Sequence, residues 1–119
     1  MKKLIKIQSE LKAPKSQRNN FGKYNYRSCE DILEAVKPLL KDNNCTLTIS
    51  DEIKEIGGIV FVEAIAVILD GENQVQSKAQ AGIDAQRKGM DIAKSFGSSL
   101  YYARKYAING LFLILDIKD

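Results

Sequence analysis

The fold of this chain is decided by residues 57–71, GGIVFVEAIAVILDG. The paired glycines at the start predict a tight hairpin turn. They are followed by Ile59–Leu69, a run of apolar residues that favour strands. Because the run is apolar at both odd and even positions, we expect a strand that is central in its sheet or covered on both faces. A second turn is predicted at Asp70-Gly71.

The segments on either side of this run have the alternation of a half-buried strand. Residues 45–50, CTLTIS, place an apolar residue at every second position. Residues 74–83, QVQSKAQAGI, alternate small or apolar residues with glutamine and lysine. Since short turns join the three segments, they predict an antiparallel β-meander with the apolar strand in the middle.

Two helical segments precede the strands. Residues 2–12 have apolar residues at helical spacing, and residues 28–43 carry a clear apolar stripe. Ser28 is a predicted N-cap, followed by acidic residues in the first turn, where the helix dipole favours them. Pro38 is expected to kink this helix or to split off its last turn. Residues 13–27 are rich in turn formers and predict a loop.

A long helix is predicted over residues 88–111. One face is expected to pack on the sheet: Ile92, Phe96, Leu100, Ala103 and Ala107. The other face is expected to meet solvent: Lys94, Ser98, Tyr101 and Lys105. Gly97 in mid-helix costs about 1 kcal/mol relative to Ala, so we expect another backbone or a ligand close to it. The element order predicts an α+β domain, a three-stranded antiparallel β-meander packed against this long C-terminal helix and a preceding helix.

Composition argues against several classes of enzyme. The chain has 119 residues, of which 45% are hydrophobic, enough for one domain with a single core. It has no histidine, which excludes Ser-His-Asp and Cys-His catalysis and the usual zinc sites. Cys29 and Cys45 form no CxxC pair and are expected to be buried, reduced thiols. Since no glycine-rich phosphate-binding motif occurs, we expect neither an enzyme nor a cofactor.

The charges are segregated along the chain. Residues 1–27 hold eight Lys or Arg and one acid, residues 28–77 hold three bases and ten acids, and residues 78–105 hold six bases and two acids. This pattern suggests a polyanion site built from both ends of a single domain, residues 1–119, with residues 1–27 as a basic arm and loop. The simpler alternative is a basic tail and ordinary solvated charge.

No apolar run reaches the roughly 20 residues of a membrane-spanning helix, so we expect an intracellular protein without a membrane partner.

Aromatic and basic residues are interleaved in both basic segments. Lys and Arg can follow phosphates, and flat side chains can pack against exposed bases, which is the chemistry of a single-stranded nucleic-acid site. The candidate DNA-binding residues are Lys15, Arg18, Lys23, Tyr24, Tyr26, Arg27, Lys94, Ser98, Tyr101, Tyr102, Arg104, Lys105 and Tyr106. For each tyrosine taken singly, packing at the edge of the core with the hydroxyl in water is the simpler interpretation.

Two stretches make this pattern more specific. Residues 97–112, GSSLYYARKYAINGLF, and residues 21–40, FGKYNYRSCEDILEAVKPLL, resemble the Erf family of phage single-strand DNA annealing proteins. The family signature then falls on Gly97, Ser98, Tyr102, Ala103, Arg104, Lys105 and Tyr106. The resemblance implies ATP-independent annealing of complementary strands in phage homologous recombination, in the bacterial cytoplasm, by a homo-oligomer that forms rings or filaments. A host or phage single-strand-binding or replication protein is a further candidate partner.

Two other classes of function stay open. A protein-interaction module that binds a host repressor or replication protein would use the acidic segment, residues 28–77. A magnesium-dependent nuclease would use Asp116 or Asp119, although lone acids at chain ends are usually solvated. If the protein assembles, we expect the basic front of one copy to meet the acidic middle of the next, head to tail.

Overall fold

The computed structural model describes residues 1–83 and 92–114, which form three helices and five strands. In chain order these are α1 (Lys2–Glu10), β1 (Gln17–Asn19), β2 (Tyr24–Tyr26), α2 (Cys29–Asp42), β3 (Thr46–Ile56), β4 (Ile59–Leu69), β5 (Gln74–Gly82) and α3 (Ile92–Phe112). Strands β3, β4 and β5 form one antiparallel sheet in sequence order, and β1 and β2 form a separate hairpin. The predicted α+β fold, with its meander packed against the C-terminal helix, is confirmed.

The central strand of the meander is β4, which pairs along its length with both β3 and β5. The turn before it contains Gly57 and Gly58 at φ +60° and +82°. This left-handed conformation is the one that a type I′ hairpin turn requires, and glycine adopts it without strain. The predicted hairpin and central strand are therefore confirmed. Strand β3 is longer than predicted, since it continues past residue 50 to Ile56.

One face of the sheet carries the core. The fully buried residues of β4 on this face are Val62, Ala64, Ala66 and Ile68. Helix α3 packs over them and brings Ala103 and Ala107, both also fully buried. Small residues let the two layers approach closely, because a β-carbon on Gly110 would lie only 2.9 Å from Oγ of Ser77. The backbone approach predicted at Gly97 is not present, since no described atom would lie within 4 Å of a β-carbon there; the predicted ligand contact at Gly97 stays a prediction.

Glu63 lies on the other face of β4 and is nevertheless only 6% exposed. Its carboxylate accepts hydrogen bonds from Nε2 of Gln80 at 2.7 Å and from Nζ of Lys54 at 2.9 Å. These bonds hold the pKa of Glu63 below its ordinary range and raise the pKa of Lys54. Because the two donors come from β5 and β3, the carboxylate ties all three strands together.

Helix α2 begins with the predicted cap. Oγ of Ser28 accepts a hydrogen bond from the backbone of Asp31 at 3.1 Å, and the Asp31 carboxylate accepts one from the backbone of Ser28 at 2.8 Å. This reciprocal pair is a capping box. The expected split at Pro38 does not occur: α2 runs as one helix to Asp42, with Ile32 and Val36 fully buried on its inner side. Among the helices of the described residues, none has the length and apolar character that crossing a membrane requires.

The loop predicted over residues 13–27 contains a short hairpin instead. Gln17–Asn19 pairs antiparallel with Tyr24–Tyr26. The local strand signal is the alternation of tyrosine and asparagine in β2. Strands of three residues are too short for this alternation to stand out against the turn-forming residues around them, so the sequence pattern favoured a loop.

Lowering the pH is expected to destabilise the domain through three carboxylates. Hydrogen bonds lower the pKa of Asp31 and Asp70 from the ordinary 3.8, and that of Glu63 from 4.5. Because each folded pKa is below the unfolded one, each carboxylate stabilises the fold above its unfolded pKa and loses that contribution as the pH falls through its folded pKa. The free energy of unfolding, measured by urea denaturation with circular dichroism, should therefore fall below about pH 4.5.

Two variants distinguish the contribution of Glu63 to this acid dependence from that of an ordinary exposed acid. Glu63→Gln should make the acid dependence shallower, since an amide does not titrate. Glu10→Gln, an exposed acid of α1, should leave the dependence close to that of the wild type. A wild-type free energy of unfolding that stays constant on acidification would contradict the assignment.

Candidate nucleic-acid interface

All five tyrosines of the chain lie along one connected surface, which we call the tyrosine strip: Tyr24, Tyr26, Tyr101, Tyr102 and Tyr106. On β2, the ring centres of Tyr24 and Tyr26 are 6.1 Å apart. On α3, Tyr102 packs edge to face with Tyr101 at 5.3 Å and is stacked on Tyr106 at 6.0 Å. Tyr102 and Tyr106 are each 47% exposed, and the other three are half-buried. The strip therefore presents neighbouring aromatic rings to solvent.

The two halves of the tyrosine strip meet at Lys105. Its Nζ lies 5.7 Å from the centre of the Tyr26 ring, within the range of a cation–π interaction. Close by, Oη of Tyr101 accepts a hydrogen bond of 3.1 Å from the backbone N–H of Cys29, the first residue of α2. Burial raises the pKa of Tyr101 above its ordinary value. These contacts attach the β1–β2 hairpin and the start of α2 to the side of α3.

The prediction that Lys105 faces solvent is wrong, because the residue is only 4% exposed. A helical wheel identifies the apolar face of α3, which packs on the sheet. It cannot show that Tyr26 and Cys29, from distant parts of the chain, cover a second side. Lys105 is therefore a buried cation beside an aromatic ring and not part of the exposed face of α3.

Arg104, another predicted phosphate contact, has a partner within the protein. Its Nε lies 3.2 Å from both carboxylate oxygens of Asp51 on β3, and its Nη2 also donates to Oδ2. Hydrogen bonding to Asp51 raises the pKa of Arg104. The Arg104 side chain is 42% exposed and that of Asp51 is 20% exposed. This forked ion pair links α3 to β3, and the predicted contact of Arg104 with DNA stays a prediction.

The remaining polar residues of the predicted DNA-binding set differ in their exposure to solvent. Three cations are exposed: Arg18, Lys23 and Lys94. Lys15, Arg27 and Ser98 are half-buried. Nε of Arg27 donates a hydrogen bond of 2.7 Å to the carbonyl of Ala13, which fixes the chain just before the hairpin. The open positive charge of the hairpin therefore lies at Arg18 and Lys23, on either side of its turn.

Sequence reasoning missed two residues that shape this surface. Asp51, the partner of Arg104, is 53 positions away in the chain, and no local pattern signals the pairing. A β-carbon on Gly22 would lie 2.4 Å from the ring of Tyr24, so that ring lies directly against the glycine backbone. The run Asn19-Asn20-Phe21-Gly22 was a usable turn signal, but the contact of the Tyr24 ring with Gly22 depends on the hairpin.

The remaining predicted chemistry is simpler. Cys29 and Cys45 are free and buried, as expected. Within residues 1–83 and 92–114, no group of three or more His, Cys, Asp or Glu side chains could hold a metal ion. Asp116 and Asp119, the candidate nuclease residues, lie outside the described residues, as does the predicted start of the last helix at residue 88.

The fold and this surface define an α+β domain that presents aromatic rings bordered by cations, a combination suited to single-stranded nucleic acid. The sequence profile of the ERF superfamily matches residues 1–119, and the chain belongs to that superfamily. It is 56% identical over 117 residues, 98% of its length, to the essential recombination function protein of Salmonella phage P22. The chain spans only 56% of that relative. No solved structure matches it significantly.

Replacing Arg104 by alanine is expected to destabilise the domain by about 1–2 kcal/mol. The mutation leaves the Asp51 carboxylate largely buried without its partner, and the partial exposure of Arg104 keeps the loss small. Urea denaturation should show a similar loss for Asp51→Asn. The control Lys41→Ala removes an exposed cation of α2 and should change stability by less than about 0.5 kcal/mol.

A different result for Arg104→Ala would restore the role predicted from the sequence. If the variant is as stable as the wild type but its DNA affinity depends less steeply on salt, then Arg104 contacts phosphate and the pair with Asp51 does not form in solution.

Proposed function

We propose that this domain binds single-stranded DNA and anneals complementary strands during phage recombination, without ATP or another cofactor. The name of the phage P22 relative supports the role in recombination. The chemistry of the tyrosine strip supports a single-stranded substrate. Unpaired bases expose flat faces on which aromatic side chains can stack, whereas the bases of a duplex are already stacked on each other.

One observation carries the proposal: the fold collects every tyrosine of the chain on one surface. Tyr24 and Tyr26 are separated from Tyr101, Tyr102 and Tyr106 by the entire sheet in the sequence. Single tyrosines at the edge of a core need no functional explanation. Two groups of neighbouring rings, Tyr24 with Tyr26 and Tyr101 with Tyr102 and Tyr106, joined where Lys105 of α3 meets the Tyr26 ring, offer an area on which several bases can stack.

Backbone contacts would complete the binding site. Arg18, Lys23 and Lys94 are exposed and can neutralise phosphates, with Lys15 and Arg27 nearby in the chain. Phosphate contacts carry no sequence information, and stacking uses the faces of the bases rather than their edges. A strand held in this way keeps its hydrogen-bonding edges free to pair, which annealing requires.

Annealing also needs many copies in a row, since one small domain covers only a few nucleotides. The β3–β4 hairpin offers a surface for assembly, because Ile53, Ile56 and Ile59 near its turn are 56%, 68% and 66% exposed. The acidic residues Glu52 and Glu55 lie beside them on β3. This apolar and acidic end fits a basic segment of the next copy, such as residues 1–27, and repeated head-to-tail contact produces a ring or filament.

The same end of the sheet favours a second candidate function, that of a module binding a host repressor or replication protein. Exposed apolar residues rimmed by charge are typical of protein contacts. Tight binding of such a protein that survives removal of the exposed tyrosines and is abolished when Ile56 is replaced would favour this function over annealing.

Removing two exposed rings is expected to weaken DNA binding without changing its salt dependence. Tyr102→Ala with Tyr106→Ala should lower affinity for oligo(dT) by about 5- to 150-fold for each base that no longer stacks, because one stack contributes about 1–3 kcal/mol. The slope of log affinity against log salt should stay the same.

Arg18→Ala with Lys23→Ala should instead flatten that slope by about 0.7 for each phosphate that is no longer neutralised. Fluorescence anisotropy at several salt concentrations measures both, and annealing of complementary strands without ATP is followed in parallel.

The matched control is Lys41→Ala, an exposed cation at the far end of α2. Twelve residues separate it from Cys29, about 18 Å along the helix, so it should leave affinity, slope and annealing unchanged. A wild-type affinity that does not depend on salt, or a preference for duplex of one sequence, would overturn the proposal.

Placing a charge on the β3–β4 hairpin is expected to reduce assembly. Ile56→Lys puts a cation where a basic segment of the next copy would dock, so analytical ultracentrifugation should show smaller particles than for the wild type. Leu69→Lys changes an exposed apolar residue at the opposite end of β4 and should assemble normally. A wild-type protein that remains a monomer with and without DNA would contradict assembly altogether.

A further inference from the structure

Phe21 is a large apolar residue that is fully exposed to solvent, and the packing of the described fold gives no reason for this exposure. It lies in the turn of the β1–β2 hairpin, and its relative exposure is 100%. Burying an aromatic side chain of this size contributes roughly 1.5–3 kcal/mol, and none of that is gained here. The residue contributes no packing to the described core, so its aromatic ring is available to a ligand.

The turn that carries Phe21 is held by contacts on both sides. Oδ1 of Asn19 accepts a hydrogen bond from the backbone N–H of Gly22 at 2.9 Å, and Nδ2 of Asn19 donates one to Oη of Tyr24 at 3.1 Å. The ring of Tyr24 lies against Gly22, and Lys23 has the left-handed φ of 54°. The backbone before and after Phe21 is therefore fixed, and the hairpin holds the phenylalanine outward at its end.

The surroundings of Phe21 indicate which ligand it meets. The exposed cations Arg18 and Lys23 lie three residues before it and two residues after it on the same hairpin, and Tyr24, the first ring of the tyrosine strip, follows three residues later. An exposed aromatic ring on the same hairpin as two exposed cations and the rings of Tyr24 and Tyr26 suits a chain of flat groups joined by negative charges. Unpaired nucleotides have this chemistry.

We propose that Phe21 stacks on an unpaired base of the bound strand, as an outer extension of the tyrosine strip. The inference rests on the proposed function and adds the contact made by the hairpin turn. Apolar side chains that insert beside a base interrupt base–base stacking. Phe21 therefore separates one base from its neighbour and defines one edge of the stretch of strand held by each copy.

A second copy of this chain is the competing partner for Phe21. An open pocket of about 440 Å³ lies on the face of the sheet opposite α3, and its lining includes Ile56, Ile59 and Phe61. A phenyl ring from a neighbouring copy would fit into such a volume. Two observations favour the base: the hairpin that carries Phe21 has exposed cations at Arg18 and Lys23, and the same hairpin carries Tyr24 and Tyr26 of the tyrosine strip. Tryptophan fluorescence distinguishes the two partners.

The decisive measurement uses the absence of tryptophan from the chain. In Phe21→Trp the new indole is the sole tryptophan, and stacking on a nucleobase quenches its fluorescence. We expect saturating oligo(dT) to quench this emission and an abasic oligomer of the same length to leave it unchanged, with the affinity of each strand measured separately by anisotropy. The matched control Ile5→Trp carries an indole at an exposed site on α1 and should not be quenched by either strand.

Binding measurements give the second arm. Phe21→Ala should weaken binding of oligo(dT) by about 5- to 150-fold with no change in the salt slope, and Phe21→Tyr should restore most of the affinity. Phe21→Leu, which is apolar but not flat, should behave like Phe21→Ala.

The outcomes separate this inference from the proposed function. If Phe21→Ala binds and anneals like the wild type, the stacking of Phe21 is wrong while the proposed function stands. If the wild type does not bind single-stranded DNA, both are wrong. If the emission of Phe21→Trp changes with protein concentration but not with DNA, or if the Ile5→Trp control is quenched equally, Phe21 does not stack on a base.

Discussion

The packing of α3 between two layers is the constraint on which the rest of this structure depends. The sheet covers one side of the helix through Ala103 and Ala107, which are fully buried. The β1–β2 hairpin and the start of α2 cover another side, through the Tyr26–Lys105 contact and the hydrogen bond from Cys29 to Tyr101. Without the second layer, the tyrosines of β2 and those of α3 would lie on unrelated surfaces, and the tyrosine strip would not exist.

This packing gives the charged and the aromatic residues of α3 different environments. Arg104 and Lys105 lie next to each other in the sequence, and each is used inside the fold, one by Asp51 and the other by the ring of Tyr26. The adjacent Tyr102 and Tyr106 remain 47% exposed. A buried cation needs a partner because desolvation is costly, whereas a tyrosine at the edge of a core can keep one face open. Near Tyr102 and Tyr106 the helix therefore exposes aromatic rings, whereas its adjacent cations Arg104 and Lys105 have partners within the fold.

Predictions that rest on local physics agree with the structure. The Ser28 cap, the glycine turn at residues 57 and 58 and the central position of β4 each follow from a few neighbouring residues. Predictions that needed knowledge of distant neighbours were less successful. The exposure of Lys105 and the free charge of Arg104 were inferred from α3 alone, and both are changed by residues from other parts of the chain. The β1–β2 hairpin was missed because three-residue strands carry too little pattern.

The amino-acid sequence alone therefore determined the α+β fold and the order of its strands. It also determined the supply of basic and aromatic residues, the residue types that suit a single-stranded nucleic acid. These depend on hydrophobic periodicity, turn chemistry and composition, all of which are local properties. Only the tertiary structure decided which of those residues face solvent together. Bringing Tyr26 to Lys105 and Asp51 to Arg104 requires the folded sheet, because each pair joins segments that do not touch until α3 packs against both layers.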